Sequence, residues 1–219
     1  MNHSLFSSWV EWTPALLEGL WTSLQLTGGS LAIGIPGGLL LALLMSGRSR
    51  VVKAVAIVLV EIGRGMPALV VLQLVYFGLP SAGLTFGPFL AATAALALTT
   101  AAYTSEILRA GLQAVPAGEV EAAAALGMSH RDSLRYVVIP QGVRVAIPAL
   151  LGFSIQIFQA TSLTFTIAVP ELLGQAYSIG AATFRYLDVL VLAGLVYLAV
   201  VLPAGSITRL LERRMGRHL

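Results

Sequence analysis

Four stretches of this chain contain no Asp, Glu, Lys or Arg: residues 19–47, 65–105, 145–170 and 189–208. A hydrocarbon core of about 30 Å is crossed by about 20 apolar helical residues. The windows of 29, 26 and 20 residues therefore predict one span each. The 41-residue window is too long for one span, and Gly78-Leu79-Pro80-Ser81-Ala82-Gly83 followed by Gly87-Pro88 divides it with turn chemistry. Five spans follow, at 17–45, 54–78, 88–112, 143–167 and 187–211. No segment alternates with the period of two that a barrel strand needs, and Ala and Leu dominate, so the expected class is all-α.

Composition then says what such a chain is not. Of its 219 residues 57% are hydrophobic and 11% charged, with a mean hydropathy of +0.87. Soluble domains carry about a quarter charged residues, so a soluble globule of this composition would expose apolar patches beyond the usual limit. A soluble cytosolic domain, a disordered chain and a nucleic-acid-binding module are all excluded. There is no cysteine, and His3, His130 and His218 stand too far apart to predict a metal cluster. The first basic residue is Arg48, so the first apolar run lacks the basic start of a cleaved signal and is expected to span. Residues 1–14 are expected as an outer, interfacial segment with a short helix on the membrane surface, anchored by Trp9 and Trp12, with Trp21 close behind.

Lys and Arg set the orientation. Arg48, Arg50 and Lys53 lie between spans one and two; Arg109, Arg131, Arg135 and Arg144 between three and four; Arg209, Arg213, Arg214 and Arg217 at the end. On the other side stands Arg185 alone, and Arg64 lies inside a span. The N-terminus is expected outside, and the C-terminus, with the basic tail 213–219, in the cytoplasm.

The longest cytoplasmic loop, about 113–142, carries two short helices. Pro116 suits a first helical turn, with Glu119 and Glu121 near that positive end. Gly127 can stop the helix in a left-handed cap, and Ser129 with Asp132 forms a capping box that opens a second helix, which Pro140 ends. The spacing fits either a solvated hairpin or an alanine-faced surface for another protein to approach. Within the spans, Glu61 with Arg64 and Glu106 with Arg109 form two E-x-x-R pairs, each on one helix face. Charges at this depth need partners, so Glu61 is expected to pair with Arg109, or Glu106 with Arg64, as a lock, a gate or a substrate contact. The fourth span carries Gln156, Gln159, Thr161, Ser162 and Thr164, which suit either inter-helix hydrogen bonds or the wall of a path for a zwitterion. Gln73, Tyr76 and Tyr103 are weaker candidates for that wall. Gly34 and Gly38, around Pro36, are expected to permit close helix packing.

Glu121-Ala122-Ala123, three residues, Gly127, nine residues, then Val137-Val138-Ile139-Pro140 resembles the EAA loop of bacterial ABC importer permeases. Arg64-Gly65-Met66-Pro67, Tyr76-Phe77-Gly78-Leu79-Pro80 and Ala102-Tyr103-Thr104-Ser105-Glu106-Ile107-Leu108-Arg109 resemble motifs of the polar amino-acid branch (histidine, glutamate, glutamine, arginine and opine permeases). Thr161-Ser162-Leu163 and Glu171-Leu172 match two more, and together they cover about residues 15–212.

The resemblance implies a type I ABC importer permease fold in the bacterial inner membrane, over 15–212. It also implies the partners: a second permease, identical or homologous, a dimer of ATPase subunits, and an extracytoplasmic amino-acid-binding protein, all embedded in or beside membrane lipid. Glu121, Ala122, Ala123 and Gly127 are then the expected lever for ATPase coupling, with Glu121 fixing the loop by hydrogen bonds. Where the branch often carries a charge just before T-S-L, this chain has Gln159 and Ala160. That departure points away from a charged substrate side chain.

The chain is not expected to be an enzyme or to bind a cofactor, with ATP and Mg on the partner ATPase. A P-loop needs G-x-x-x-x-G-K-S/T, and the one lysine, Lys53, is flanked by Val52 and Ala54. Gly63-Arg64-Gly65-Met66-Pro67-Ala68 fits a dinucleotide pattern but has no strand before it. The alternatives are a self-contained secondary transporter or small channel, which should show inverted repeats, and a membrane scaffold subunit, which would need no polar face on the fourth span.

Overall fold

The computed structural model describes residues 5–47 and 49–215, and every regular element among them is helical. Arg48, Arg217, His3 and His218 lie outside the described residues. Helix α1 runs from Leu5 to Met45, so it begins well before the expected residue 17 and leaves no separate surface helix. Trp12 is the reason: it is buried with Leu16 against Leu172, Ala176, Val189 and Ala193, which makes the first turns part of the core. Trp9 packs on the same cluster, whereas Trp21 is 62% exposed.

The expected second span at 54–78 is broken. Helix α2 (Arg50–Gly65) ends at Met66, whose φ of −86° and ψ of 136° are extended. Pro67 forces that conformation, because its ring disfavours the helical region for the residue before it. Helix α3 (Ala68–Gln73) then restarts and continues through a π turn (Leu74–Gly78) and a 3-10 turn (Leu79–Ala82), bent by 104° from α2.

Helix α4 (Pro88–Gln113) is the most enclosed element. Small residues let α1 lie directly on it: a Cβ at Gly34 would collide with Thr100, and one at Gly38 with Thr104. Close approach through Gly-x-x-x-Gly is thus confirmed. The Thr104 hydroxyl donates to the Gly34 carbonyl at 3.4 Å and to Thr100 at 2.7 Å. At the far end of α4, Gly111 meets Gly142 backbone to backbone in the same way.

Short helices α5 (Ala117–Ala125) and α6 (His130–Ser133) follow. Pro140 does not end the second of them. Helical structure runs unbroken from His130 to Ile167 through a π turn at Leu134–Val138, helix α7 (Ile139–Ala160) and a 3-10 segment (Thr161–Ile167). In the π turn the Ile139 N–H bonds to the Leu134 carbonyl. This wider register relieves the clash a proline ring makes with the carbonyl four residues back. Helix α8 (Leu172–Thr183) was not foreseen, and α9 (Tyr186–Met215) closes the bundle where the fifth span was expected.

Three helical segments are long and apolar enough to cross a membrane, Ser7–Met45, His130–Ile167 and Tyr186–Met215; counting the bent α2–α3 pair makes four. Of three apolar clusters, the first gathers Leu26, Leu72, Ala91, Ala95 and Ile167 between α1, α3, α4 and the end of the His130–Ile167 segment, and a small one joins Met45 to Ala56 and Val60. The second joins α1, α8 and α9 around Trp12.

Candidate functional site

Helices α2 and α4 bring the two E-x-x-R pairs together. Arg109 grips Glu106 of its own helix with two nitrogens, at 2.6 and 3.0 Å, and donates to Gln113 Oε1 at 3.1 Å. Arg64 Nη1 reaches Glu106 at 3.7 Å and Glu61 at 3.6 Å. Of the two expected pairings, Glu106 with Arg64 is present. Glu61 does not pair with Arg109, because Arg109 is taken bidentately by Glu106, the stronger geometry. The four groups form one chain of alternating charge, tight within α4 and loose between α4 and α2.

Tyr103 sits at the same junction. Its hydroxyl donates to the Arg64 carbonyl at 3.3 Å, and its ring stacks on Phe153 of α7 at 5.2 Å. A tyrosine here satisfies a carbonyl left open at the end of α2 and pins it to two other helices.

The polar residues of the fourth span separate into two groups. Thr161 and Thr164 are buried, and their hydroxyls donate to the carbonyls of Phe158 (2.7 Å) and Thr161 (2.8 Å). They serve the helix itself. Gln156 and Gln159 point outward, and Ser162 is half-buried with its hydroxyl bonded back to Gln159. Gln73 donates to Thr166 Oγ1 at 3.0 Å, tying α3 to the end of this span. Thr166 was overlooked because its neighbours Phe165 and Ile167 give it an apolar setting in sequence. Tyr76 packs against the first cluster and stands edge-on to Phe77.

The hairpin of α5 and α6 has the capping chemistry its sequence announces. Gly127 has φ +78°, the Met128 N–H bonds to Ala123 O at 3.1 Å, and the Gly127 N–H bonds to Ala124 O at 3.0 Å. Those two bonds define a Schellman cap, which needs glycine at that position. Ser129 then caps α6, accepting from Asp132 N at 3.2 Å and donating to Asp132 Oδ2 at 2.6 Å. Pro116 is the residue before α5 rather than in its first turn.

Two expectations about this lever change. Glu121 is exposed and makes no hydrogen bond among the described residues; Glu119 accepts from Gln141 at 3.3 Å instead. Ala123 is buried, while Ala122 is exposed and Leu126, not singled out in sequence, is 83% exposed at the tip.

Glu171 is the residue sequence reasoning undervalued, as half of a two-letter motif. Its side chain is fully buried and caps α8, accepting from Leu173 N (2.9 Å), Gly174 N (2.8 Å), Ser23 Oγ (3.3 Å) and Tyr197 Oη (3.1 Å). One carboxyl group thereby joins α1, α8 and α9. Arg185 is bound to Asp188 at 2.7 Å and Ser8 at 2.6 Å and lies over the Trp12 ring at 5.1 Å.

These features define a helical membrane protein with a charge chain linking two of its helices and a stiff hairpin at one end. Its sequence matches the family model for binding-protein-dependent transport system inner membrane components over residues 34–217. It is 35% identical over 211 residues to the arginine transport system permease protein ArtQ of Bacillus subtilis, covering 96% of each chain. It is 37% identical over 220 residues to the nopaline transport system permease protein NocM of Agrobacterium fabrum, covering 96% of this chain and 91% of that one. A chain in a crystal structure of an amino acid ABC transporter with histidines superposes with TM-score 0.93 at 36% identity, over 98% of this chain and all of the other. The chain therefore belongs to the binding-protein-dependent inner membrane components, among the amino-acid ABC transporter permeases.

Proposed function

We propose that this chain carries a polar amino acid into the cytoplasm, driven by ATP hydrolysis on separate ATPase subunits that seat on the α5–Gly127–α6 hairpin. The observation that carries this reading is the hairpin: a double cap makes it stiff, and its tip presents Leu126 to a partner. Rigid-body closure of an ATPase pair can be transmitted by such a lever and would be dissipated by a loose loop. ATP and Mg belong to those subunits. A second permease completes the path, and an extracytoplasmic binding protein delivers the substrate.

In this reading the chain crosses the bacterial inner membrane five times, through α1, the bent α2–α3 pair, α4, α7 and α9. The N-terminus is outside and the C-terminus in the cytoplasm. Gln156, Gln159 and Ser162, with the Gln73–Thr166 bridge, supply neutral donors and acceptors along the path. The looser Arg64 contact, between α2 and α4, is the point at which the charge chain opens as the helices move.

The test is uptake of radiolabelled amino acids by proteoliposomes holding the chain with its ATPase and binding protein. ATP-dependent uptake is expected in the wild type and its loss in Leu126→Asp, with ATPase activity retained. Uptake that persists without the ATPase subunits overturns the proposal.

A further inference from the structure

A groove of about 300 Å³ runs between α1, α7 and α9, with Leu24, Leu151, Phe158, Ile207 and Leu211 among its apolar walls. Three hydroxyls also line it, and each is spent on its own helix. Thr27 donates to the Ser23 carbonyl at 2.8 Å, Ser154 to Leu150 at 2.8 Å and Thr208 to Ala204 at 3.0 Å. The walls thus offer an occupant no free side-chain donor. Ordered water needs several polar partners, and an empty groove forfeits the dispersion contacts of its lining. The groove is built for hydrocarbon.

Charge at one end shows what that hydrocarbon is attached to. Val200 and Ile207 line the groove, and Arg214 stands seven residues further along the same continuous helix, so it extends their line. Leu151 and Phe158 line it from α7, and Arg144 stands seven residues before Leu151 on that helix. The Phe158 ring packs on Tyr197, with centroids 5.5 Å apart. Counted from that contact in the antiparallel arrangement of the proposed spans, Arg144 comes level with Leu211, at the end of the groove where Arg214 follows.

Helical side chains lean toward their N-terminus. Arg214 therefore leans back over Leu211, while Arg144 leans out of the groove to the level of the headgroups. Both are exposed, and neither side chain has a hydrogen bond or ion pair among the described residues. Glu212 borders the other edge of the groove on α9 and pairs with neither. Two guanidinium forks against one carboxylate suit a phosphate. A substrate amino acid would leave its own charges unmet along these walls. An apolar helix of a second permease would cover the walls but bring no counter-charge to the arginines.

We propose that this groove binds one anionic phospholipid, with an acyl chain between α7 and α9 and its phosphate on Arg144 and Arg214. Basic pockets between spans are suited to such headgroups. The bound lipid ties the start of α7, into which the α5–α6 hairpin leads, to the end of α9. Its place in the cytoplasmic leaflet rests on the orientation proposed above.

Two measurements test it and separate its failure from failure of the import reading. The first is lipid retention by the full chain in detergent, counted by native mass spectrometry with phosphatidylglycerol as probe. Phosphatidylglycerol is expected to be retained, whereas diacylglycerol and glycerol 3-phosphate, each carrying half of the ligand, are not. Arg144→Gln and Arg214→Gln should each weaken retention about fivefold, the worth of one cation at a membrane surface. Arg214, exposed at a helix end, keeps this arm informative if the Arg144 variant fails to fold. Ile207→Trp fills the groove from a 58% exposed position and should abolish retention. Arg213→Gln and Leu210→Trp, outside the lining, should change nothing, and Glu212→Gln should strengthen retention. Equal weakening by Arg213→Gln, retention of either half-ligand alone, or loss of the lipid on assembly with the second permease would each overturn the site.

The second measurement is uptake by the assembled transporter in phosphatidylcholine vesicles with and without phosphatidylglycerol. The wild type is expected to run faster with phosphatidylglycerol, and Arg214→Gln to lose most of that gain. An equal gain in both overturns the bracing role while leaving import intact. Absence of uptake in every vesicle counts against the import reading, and lipid retention still decides the site.

Discussion

Glu106 holds two arginines, one at 2.6 Å, whereas Glu61 holds one at 3.6 Å from an exposed position. The two carboxylates are thus unequal although their motifs are alike. Glu106→Gln is expected to destabilise the chain and reduce transport strongly, since it removes the carboxylate that Arg109 grips and the one link from Arg64 to α4. Glu61→Gln should cost well under 1 kcal/mol, as exposed ion pairs do. Thermal unfolding in detergent, run beside uptake, compares them; equal losses would contradict the asymmetry.

Glu171 lies between the fourth and fifth spans, and burial pushes its carboxyl above the ordinary carboxylate range against the pull of its hydrogen bonds. Folding thus makes Glu171 easier to protonate than a free carboxyl. Its contribution to stability is complete below the ordinary value and is lost as pH rises through the raised one. The wild type should accordingly lose thermal stability as pH rises above the ordinary carboxylate range, and Glu171→Gln should lack that loss, in paired melting curves. Sequence indicated both E-x-x-R pairs but could not rank their members, because rank depends on which carboxylate faces a second helix. Glu171 was hidden for a similar reason: Ser23 and Tyr197 meet it only after α1 and α9 have packed.

At the scale of elements, packing was legible wherever a residue acts on its own backbone. Gly127 and Ser129 set their caps as their sequence requires, and Pro67 breaks the second span through a rule readable in Gly65-Met66-Pro67. The break was missed because the apolar run continues across it and hydropathy does not register a bend. Pro140 shows the converse, for a π turn absorbs a ring that a regular helix would not. The exposure of Leu126 and burial of Ala123 were not legible, since they depend on how the hairpin folds back. Gly38→Leu is expected to prevent α1 from reaching α4 and to leave little folded protein, whereas Gly28→Leu, with open space around it, should be tolerated. Yield of monodisperse protein after size-exclusion chromatography measures both.

At the scale of the molecule, charge-free windows located every long apolar segment. Helix α4 was legible too, although Thr93, Thr99, Thr100, Thr104 and Ser105, all buried, make it less apolar than a span facing lipid. Helix α8 was absent from the reading because its twelve residues are too few to cross a bilayer. Since the chain has no cysteine, single cysteines report topology cleanly. Phe184→Cys, in the turn before α9, should react with an impermeant maleimide from outside, and Leu126→Cys only from inside; the reverse would overturn the proposed orientation. The central claim is that ATP-driven import passes through the α5–α6 hairpin. Its most direct test is the ratio of amino acid taken up to ATP hydrolysed in proteoliposomes holding the full assembly. The account predicts a steady ratio in the wild type that collapses toward zero in Leu126→Asp while hydrolysis continues, and an unchanged ratio in that variant would contradict it.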